Sequence, residues 1–408
     1  MTIAALEALT FGLDRMAAAA AGAGHRLCLL TGNRAVYRHE LARLAPEAPL
    51  DIVDVDTHDK AACRAALAAL PGLSGLINST DTWSVPAAEL AAELGLPGPD
   101  PDSVRVLRDK LRVRNLLHER GAGRARAHAV VPGPGTAADV LREVGLPAVL
   151  KDSAGTSSRN VWLVRDEQQL AAALAEAGER PFLGGLFAEP FFAGPVYSAE
   201  TLSWAGRTRL LGVLSRQMSP EPYVREEASA FPVGLPGAQA RRIETWADHT
   251  LRAAGHLAGF AHVEFVLTED GPELVEINRR IGGALVGEAL CLSFGVNVYE
   301  AMIDTALGRR PALLDGPEAA GPATGFVLKY PASTGTLTGW SGLGGLHAFP
   351  GSPRWYPTMA PGDRVEHLTD QRGCSGILLA EGATAELALH RALSAAGSIT
   401  PLIADAAA

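Results

Sequence analysis

The chain has 408 residues, of which 47% are hydrophobic and 20% charged, and its formal net charge at pH 7 is −9. A chain of this length is too long for one compact core, so we expect two to four domains. The acidic excess argues against nucleic acid as the main partner, because proteins that bind it usually carry a basic surface. No run approaches the ~18 consecutive apolar residues that span a bilayer, so we expect no membrane partner.

The four cysteines, Cys28, Cys63, Cys291 and Cys374, lie far apart and form neither a Cys-x-x-Cys pair nor a zinc-binding spacing. We therefore expect reduced, partly buried thiols and a cytoplasmic location. The alanine-rich stretch 16–21 has no basic leader, which favours a helix over a signal peptide.

The first hundred residues predict a parallel α/β unit. Three short apolar runs that resemble strands are separated by alanine-rich helical stretches, an alternation typical of such units. These runs are residues 26–31, 50–55 and 73–78. Asp81 follows the third run, at the carboxyl edge of the sheet where such sheets tend to bind ligands.

A proline-rich segment, 96–101, separates this unit from a region that mixes helices and strands. One helix is predicted over residues 103–119, with Ser103 as its cap and Gly121 beyond its end. This helix carries Lys110, which considered by itself is most often a solvated charge.

Residues 152–160 form a loop of mostly small and hydroxyl side chains between two strands, 148–151 and 161–164. Such a loop can lay backbone N–H groups and hydroxyls over phosphates. Lys151, at the end of the first strand, could add a positive charge to a phosphate. The alternative is an exposed hairpin tip, since small polar residues are ordinary loop formers.

The segment 187–192, Phe-Ala-Glu-Pro-Phe-Phe, could hold an adenine ring. Pro190 lacks an N–H but keeps its carbonyl as an acceptor, and Phe192 could supply the N–H donor. A buried strand with aromatic packing is the alternative.

Residues 262–280 predict a hairpin with Glu264 on its first strand and Glu276 and Asn278 on its second. Carboxylate and amide oxygens suit Mg²⁺, which commonly shares its coordination shell with phosphates. The alternative is a half-buried hairpin whose acids face water.

The hairpin register decides whether the two acids share a face, because a slip of one residue reverses the face. A three-residue loop sets Glu264 opposite Glu276, His262 opposite Asn278 and Phe265 opposite Val275. We prefer this register because it separates apolar from acidic residues. His262 is interpreted as a structural, hydrogen-bonded histidine.

Together these motifs resemble the ATP-grasp superfamily, specifically its carboxylate–amine ligase branch, which includes bacterial L-amino-acid ligases. The resemblance covers residues 25–308 well and the remainder loosely. Its most specific part is the stretch 276–283, Glu-Ile-Asn-Arg-Arg-Ile-Gly-Gly.

The resemblance implies an α/β and α+β multidomain fold. Its four parts are a parallel α/β domain (1–100), a linker helix and small lobe with the phosphate loop (101–195), a large lobe with the magnesium site (196–308) and a C-terminal α+β region (309–408).

The resemblance also implies the site residues. ATP would contact Lys110, Lys151, Ser153, Gly155, Thr156, Ser157, Glu189, Pro190, Phe192 and Glu200. One or two Mg²⁺ ions, or Mn²⁺ in their place, would bind Glu264, Glu276 and Asn278. Arg280 and Lys151 would be catalytic, and the substrate would contact Arg280, Gly282 and Gly283.

One position departs from the family pattern. An acidic residue that often binds the ribose soon after the adenine segment is replaced here by Val196, and Glu200 is the nearest substitute.

The implied function is ATP-dependent amide bond formation between a small carboxylic or amino acid and an amine, through an acyl phosphate. The family is often dimeric, so a homodimer is among the expected assemblies. The alternatives are a ligase of the biotin-carboxylase or purine-pathway type and a non-catalytic ATP-binding protein.

Overall fold

The computed structural model describes residues 1–46, 48–133, 135–221, 223 and 225–404. Its N-terminal domain is a parallel sheet of strand order β3-β2-β1-β4 with helices around it. The elements are β1 (Thr2–Leu6), α1 (Leu13–Gly22), β2 (Arg26–Thr31), α2 (Arg38–Leu41), β3 (Leu50–Asp54), α3 (Lys60–Ala68), β4 (Leu73–Ile77) and α4 (Ser84–Glu93). The predicted parallel unit is therefore present.

β1 is not predicted from the sequence, although it is a central strand of this sheet. Its five residues, Thr-Ile-Ala-Ala-Leu, include two alanines, which strands disfavour. All five are buried, and β2 and β4 pair with the two edges of the strand. Tertiary burial, more than local preference, therefore makes this segment a strand.

The single helix predicted over 103–119 is wrong, because the chain forms two helices, α5 (Pro101–Arg108) and α6 (Lys110–Glu119). Asp109 separates them with extended backbone angles, φ −103° and ψ 101°, and its carboxylate accepts a hydrogen bond from the Arg112 N–H at 3.2 Å. Such a cap stabilises the start of a new helix. The break places Lys110 at the first position of α6.

The small lobe is an antiparallel sheet of order β5-β8-β6-β7 with two helices. Its elements are β5 (His128–Ala129), α7 (Thr136–Glu143), β6 (Ala148–Asp152), β7 (Val161–Val164), α8 (Glu167–Gly178) and β8 (Leu186–Pro190). Val140, Leu150 and Leu170 belong to its separate hydrophobic cluster. The strands predicted on either side of the phosphate loop are both present.

The rest of the chain is built on an eight-stranded antiparallel sheet of order β13-β12-β9-β10-β11-β14-β18-β16. The elements are β9 (Val196–Trp204), β10 (Arg207–Met218), β11 (Glu226–Phe231), α9 (Gly237–Ala253), β12 (Gly259–Thr268), β13 (Gly271–Asn278), α10 (Val286–Phe294), α11 (Tyr299–Ala306), β14 (Ala323–Lys329), β15 (Gly335–Ser341), β16 (Arg354–Pro357), β17 (Arg364–Val365), β18 (Gly376–Gly382), α12 (Ala385–Gly397) and β19 (Thr400–Ala404). Three C-terminal strands continue the large-lobe sheet, so the sheet runs across the predicted boundary at residue 308.

A second, three-stranded sheet of order β17-β15-β19 completes the C-terminal region. Short 3-10 helices occur at Arg34–Tyr37, Ala312–Asp315, Leu343–Ala348 and Gln371–Gly373. None of the described helices is by itself long and apolar enough to cross a membrane, and α10 and α11 meet that test only jointly, as a pair bent by 106°.

The β12–β13 hairpin has the predicted register at the predicted metal ligands, since Glu264 lies opposite Glu276 and His262 opposite Asn278. The two acids therefore lie on the same face of the sheet, as side-chain alternation requires.

The predicted loop length and the predicted pairing of Phe265 are wrong. The turn consists of residues 269–270, and Phe265 pairs with Leu274. A β-bulge leaves Val275 as an extra residue between the pairs of Phe265 and Glu264. A bulge shifts the register by one residue, so it offsets the shorter turn.

Candidate nucleotide and metal site

A cavity of about 640 Å³ is lined by the small lobe, the eight-stranded sheet and loops of the N-terminal domain. Most of the predicted site residues line it. They are Lys110, Lys151, Gly155, Thr156, Ser157, Glu189, Pro190, Phe192, Glu264, Glu276, Asn278, Arg280 and Gly283. Elements distant in sequence therefore meet around a space of the size that holds a small ligand.

Glu276 lies between a lysine and an amide. Its Oε2 is 2.9 Å from the Lys110 Nζ, and its Oε1 accepts a hydrogen bond of 2.8 Å from the Asn278 Nδ2. Burial alone would raise the pKa of Glu276, but Lys110 and the Asn278 hydrogen bond lower it well below its usual range. Glu276 is thus ionised. Because the side-chain nitrogen of Asn278 is used by Glu276, the side-chain oxygen of Asn278 remains for another partner.

Glu264 contacts Arg216, a buried residue of β10. The other end of the Arg216 guanidinium lies 3.0 Å from Glu226. Burial disfavours both charges, yet the pKa of Glu264 is lowered and that of Arg216 raised because each offsets the other. From the sequence Arg216 is only a weaker candidate, and it is not among the predicted ligands of the nucleotide or the metal.

The donor set fits Mg²⁺ by its chemistry, since two ionised carboxylates and an amide oxygen are hard oxygen ligands. Among the described residues no group of three or more His, Cys, Asp and Glu side chains is arranged to hold a metal ion. A cation at Glu264, Glu276 and Asn278 would therefore complete its shell with oxygens from a ligand or water.

His262 lies between Glu200 and Glu264 and contacts both carboxylates. Its Nδ1 lies 2.6 Å from Glu200 and its Nε2 lies 3.3 Å from Glu264. Burial alone would lower the pKa of His262, but Glu200 and Glu264 together outweigh it and raise the value to about 9. The imidazole is thus cationic at neutral pH and structural in its contacts, in line with its interpretation from the sequence.

Three predicted contacts are not supported by the structure. Glu200 lies behind His262, outside the lining of the cavity, so its position gives no support to a role as ribose ligand. Ser153 also lies outside, and its hydroxyl accepts a hydrogen bond from the Gly185 N–H at 3.2 Å. Gly282 packs against His262, where a Cβ would come within 2.7 Å of the ring nitrogen, so this glycine provides close packing. Val196 lines the cavity as an apolar residue.

Lys151 and Glu189 form a buried cluster with Arg114, a residue that the sequence analysis missed. Glu189 Oε1 lies 2.5 Å from Lys151 Nζ, and Glu189 Oε2 lies 2.8 Å from the Arg114 guanidinium. Burial would raise the pKa of Glu189, but the two cations lower it. Nothing in the sequence distinguishes Arg114 from the other charged residues of α6, because its burial comes from the contact between lobes.

Asp152 stabilises the start of the predicted phosphate loop, residues 152–160. This carboxylate accepts hydrogen bonds from the N–H groups of Ala154 (3.0 Å), Leu183 (2.7 Å) and Gly184 (2.9 Å). Lys110 binds the loop from the other side, with its Nζ 2.6 Å from the Gly155 carbonyl oxygen. The first half of the loop is therefore held both by Asp152 and by Lys110.

The adenine segment ends β8 at Pro190. The Phe191 N–H is used within the lobe, since it donates to the Pro147 carbonyl at 3.0 Å. The N–H of Phe192 has no acceptor among the described residues. Phe192 therefore keeps a free donor at the cavity, which an adenine ring bound by this segment would need.

Arg280 points to the N-terminal domain, where its Nε and Nη2 lie 3.0 and 2.5 Å from Asp81. Burial disfavours the charge of Arg280, but Asp81 raises its pKa. The ion pair brings the N-terminal sheet edge to the hairpin face that carries Glu264 and Glu276.

Comparison with known families agrees with this geometry. Residues 144–288 match the ATP-grasp domain, and residues 328–403 match the L-amino acid ligase C-terminal domain 2. The chain therefore contains an ATP-grasp domain. The fold class and the resemblance expected from the sequence are thus confirmed.

Among relatives of this ATP-grasp protein, an uncharacterized protein of Sinorhizobium fredii is 29% identical over 296 residues, which are 68% of this chain and 58% of that protein. Human carnosine synthase 1 is 30% identical over 274 residues, 62% of this chain and 33% of the synthase. This chain thus spans less than two thirds of either relative.

Among solved structures, an L-amino acid ligase from Bacillus licheniformis superposes with a TM-score of 0.82, at 21% identity and 99% coverage of both chains. At that identity the likeness establishes a shared fold.

Proposed function

We propose that this ATP-grasp protein is an ATP-dependent carboxylate–amine ligase that acts on amino acids or other small carboxylic acids. One observation carries the proposal. Lys110, Lys151 and Arg280 converge on the cavity that also holds the oxygen donors of the β12–β13 hairpin. This arrangement suits a triphosphate whose end group is transferred to an acid bound beside it.

In the first step a carboxylate oxygen of the substrate attacks the γ-phosphorus of ATP, and the bond to the β–γ bridging oxygen breaks to release ADP. In the second step an amine nitrogen attacks the acyl carbon, loses a proton and expels phosphate. Lys110 and Lys151 would bind phosphate oxygens. Arg280 would stabilise the transferred phosphoryl group, so that catalysis is mainly positioning and charge stabilisation.

One or two Mg²⁺ ions, with Mn²⁺ as a substitute, would be held by Glu264, Glu276 and Asn278 and would neutralise charge on the phosphates. The phosphate loop would exclude water, which would otherwise hydrolyse the acyl phosphate.

The cysteine that lines the cavity, Cys374, is not suited to covalent catalysis. Cys374 lines the cavity, but its Sγ lies 3.3 Å from the Gly376 carbonyl oxygen, and burial raises its pKa to about 11. A thiol in this state is a poor nucleophile. Direct attack of the substrate carboxylate on ATP requires no such group.

The test is ADP release with pairs of amino acids and amines, followed by mass spectrometry of the products. We expect release that depends on both substrates, and loss of at least about 100-fold in Glu276→Ala, because Lys110 and Asn278 lose their shared partner. Glu269→Ala, at the exposed tip of the same hairpin, is the matched control and should retain activity.

Release stimulated by bicarbonate alone would instead favour a carboxylase. Tight ATP binding without any product would favour a non-catalytic protein, and equal activity of Glu276→Ala and wild type would reject the proposed site.

The proposal extends to a cytoplasmic location and a homodimer. Cell fractionation and light scattering of the purified protein are the respective measurements.

A further inference from the structure

Asp81 is the acid at the junction between the N-terminal domain and the metal-binding hairpin. It follows β4, lines the cavity and is mostly buried, with 13% of its side chain exposed. Both hydrogen bonds from Arg280 reach the same oxygen, Oδ2. The other oxygen, Oδ1, has no hydrogen-bond donor among the described residues. One oxygen of this mostly buried carboxylate is therefore available to a ligand.

The other acids that line the cavity are engaged by cations or by several N–H groups of the protein. Glu189, Glu221, Glu226, Glu264 and Glu276 each face a lysine or arginine, and Asp152 accepts three backbone hydrogen bonds. Asp81 thus differs from them in presenting a free oxygen beside the group expected to hold the substrate carboxylate.

Arg280 also keeps donors for a ligand. A guanidinium has five N–H donors, and three are used by Asp81 and the Ile281 carbonyl oxygen. An α-amino acid carries its ammonium and its carboxylate on one carbon, roughly 3 Å apart, so neighbouring groups of opposite charge can bind both.

We propose that Asp81 binds the α-ammonium group of the amino acid whose carboxylate is phosphorylated, which makes it a specificity-determining residue for α-amino acids over acids without an α-amino group. This inference rests on the proposed function and names the substrate class of the same site.

Part of the cavity wall is apolar. Phe11, Leu328, Cys374 and Ile377 line the cavity and belong to one hydrophobic cluster that also contains Ile281, the residue after Arg280. A polar side chain placed against them would lose its hydration without gaining hydrogen bonds.

The activation step can be tested alone with hydroxylamine, which attacks the acyl phosphate in place of the amine and yields a hydroxamate and phosphate. The full-length protein, ATP and Mg²⁺ are incubated with matched acids that differ in the α-amino group: alanine and propionate, leucine and 4-methylpentanoate, phenylalanine and 3-phenylpropionate. Hydroxamate formation gives KM and kcat for each acid.

For Asp81→Asn we expect the KM for the α-amino acids to rise about 10- to 100-fold, the effect of losing one charged hydrogen bond. The kcat and KM for the acids without an α-amino group should change less than about threefold. Asp51→Asn, which removes an exposed Asp–Arg pair of the same domain, is the matched control and should behave as wild type.

An equal loss with both kinds of acid would overturn the inference, because Asp81 would then act only by orienting Arg280. A raised KM for the attacking amine, with hydroxamate formation unchanged, would also overturn it. Absence of hydroxamate from wild type with every acid would reject the proposed function as well, so the two failures are distinguishable.

Discussion

At the scale of single residues, buried charges around the cavity are arranged in pairs and triads. Arg114 is a member of such a group, since only 3% of its side chain is exposed and it contacts Glu189. Removing one partner of a buried ion pair is costly because it leaves the other charge without compensation.

We predict that Arg114→Met destabilises the protein by about 3–5 kcal/mol and raises the KM for ATP, because Lys151 would be drawn more strongly to Glu189. Arg112→Met is the matched control, since 68% of this side chain is exposed on the same helix. The control should change stability by less than about 0.5 kcal/mol. Urea unfolding and ATP kinetics of the two variants measure the difference, and similar effects would contradict the buried role of Arg114.

His256 gives a prediction about pH. It is buried, its Nδ1 accepts a hydrogen bond from the Arg279 Nε at 3.2 Å and its Nε2 donates to the Gly259 carbonyl oxygen at 3.2 Å. Burial, and then the charge of Arg279, lower the pKa of His256 to about 3 from 6.5. Between these values the unfolded chain binds a proton that the folded protein does not, so stability falls as pH falls below about 6.5.

Relative to wild type, His256→Gln should therefore lose a pH dependence of about 1.4 kcal/mol per pH unit between pH 6 and 4. The measurement is the urea midpoint at several pH values. His347→Gln, at an exposed position, should follow the wild-type curve. Parallel curves for wild type and His256→Gln would show that this histidine does not titrate as described.

At the scale of elements, the phosphate loop depends on groups outside it. Ser157 and Ser158 adopt positive φ angles of 57° and 60°, a region that non-glycine residues rarely occupy. The hydrogen bonds of Asp152 and the contact of Lys110 with Gly155 hold the part of the loop that precedes these two residues.

Asp152→Ala should raise the KM for ATP about tenfold or more, because three backbone N–H groups lose their acceptor and the loop is no longer fixed. Asp166→Ala, which removes the cap of α8 in the same lobe, is the control. It should lower stability by about 1 kcal/mol and leave the KM for ATP unchanged. Equal KM values for the two variants would mean that Asp152 does not fix the loop.

At the scale of the whole molecule, a hydrophobic cluster that joins several regions occurs beside clusters that are confined to one region. One hydrophobic cluster joins residues of the N-terminal domain, the large lobe and the C-terminal region, such as Leu13, Leu285 and Leu379. The small lobe has its own cluster around Leu170. We therefore expect the small lobe to open locally while the rest of the protein remains folded.

Leu170→Ala and Leu285→Ala form a matched pair, since 0% and 1% of the two residues are exposed. Each should cost about 2–5 kcal/mol. Hydrogen exchange should increase only within residues 128–190 for Leu170→Ala, and across the three joined regions for Leu285→Ala. Exchange that spreads over the whole chain in both variants would contradict the separate small lobe.

The sequence by itself determined the order of the motifs, the parallel N-terminal unit and the hairpin face that carries Glu264 and Glu276. These depend on local periodicity and spacing, which the chain displays directly. Only the tertiary structure decided the break at Asp109, the partners of Glu189 and the meeting of Asp81 with Arg280, 199 residues apart. Such features arise from contacts between distant segments, and a residue's neighbours in sequence do not reveal which cation will lie beside which acid once both are buried.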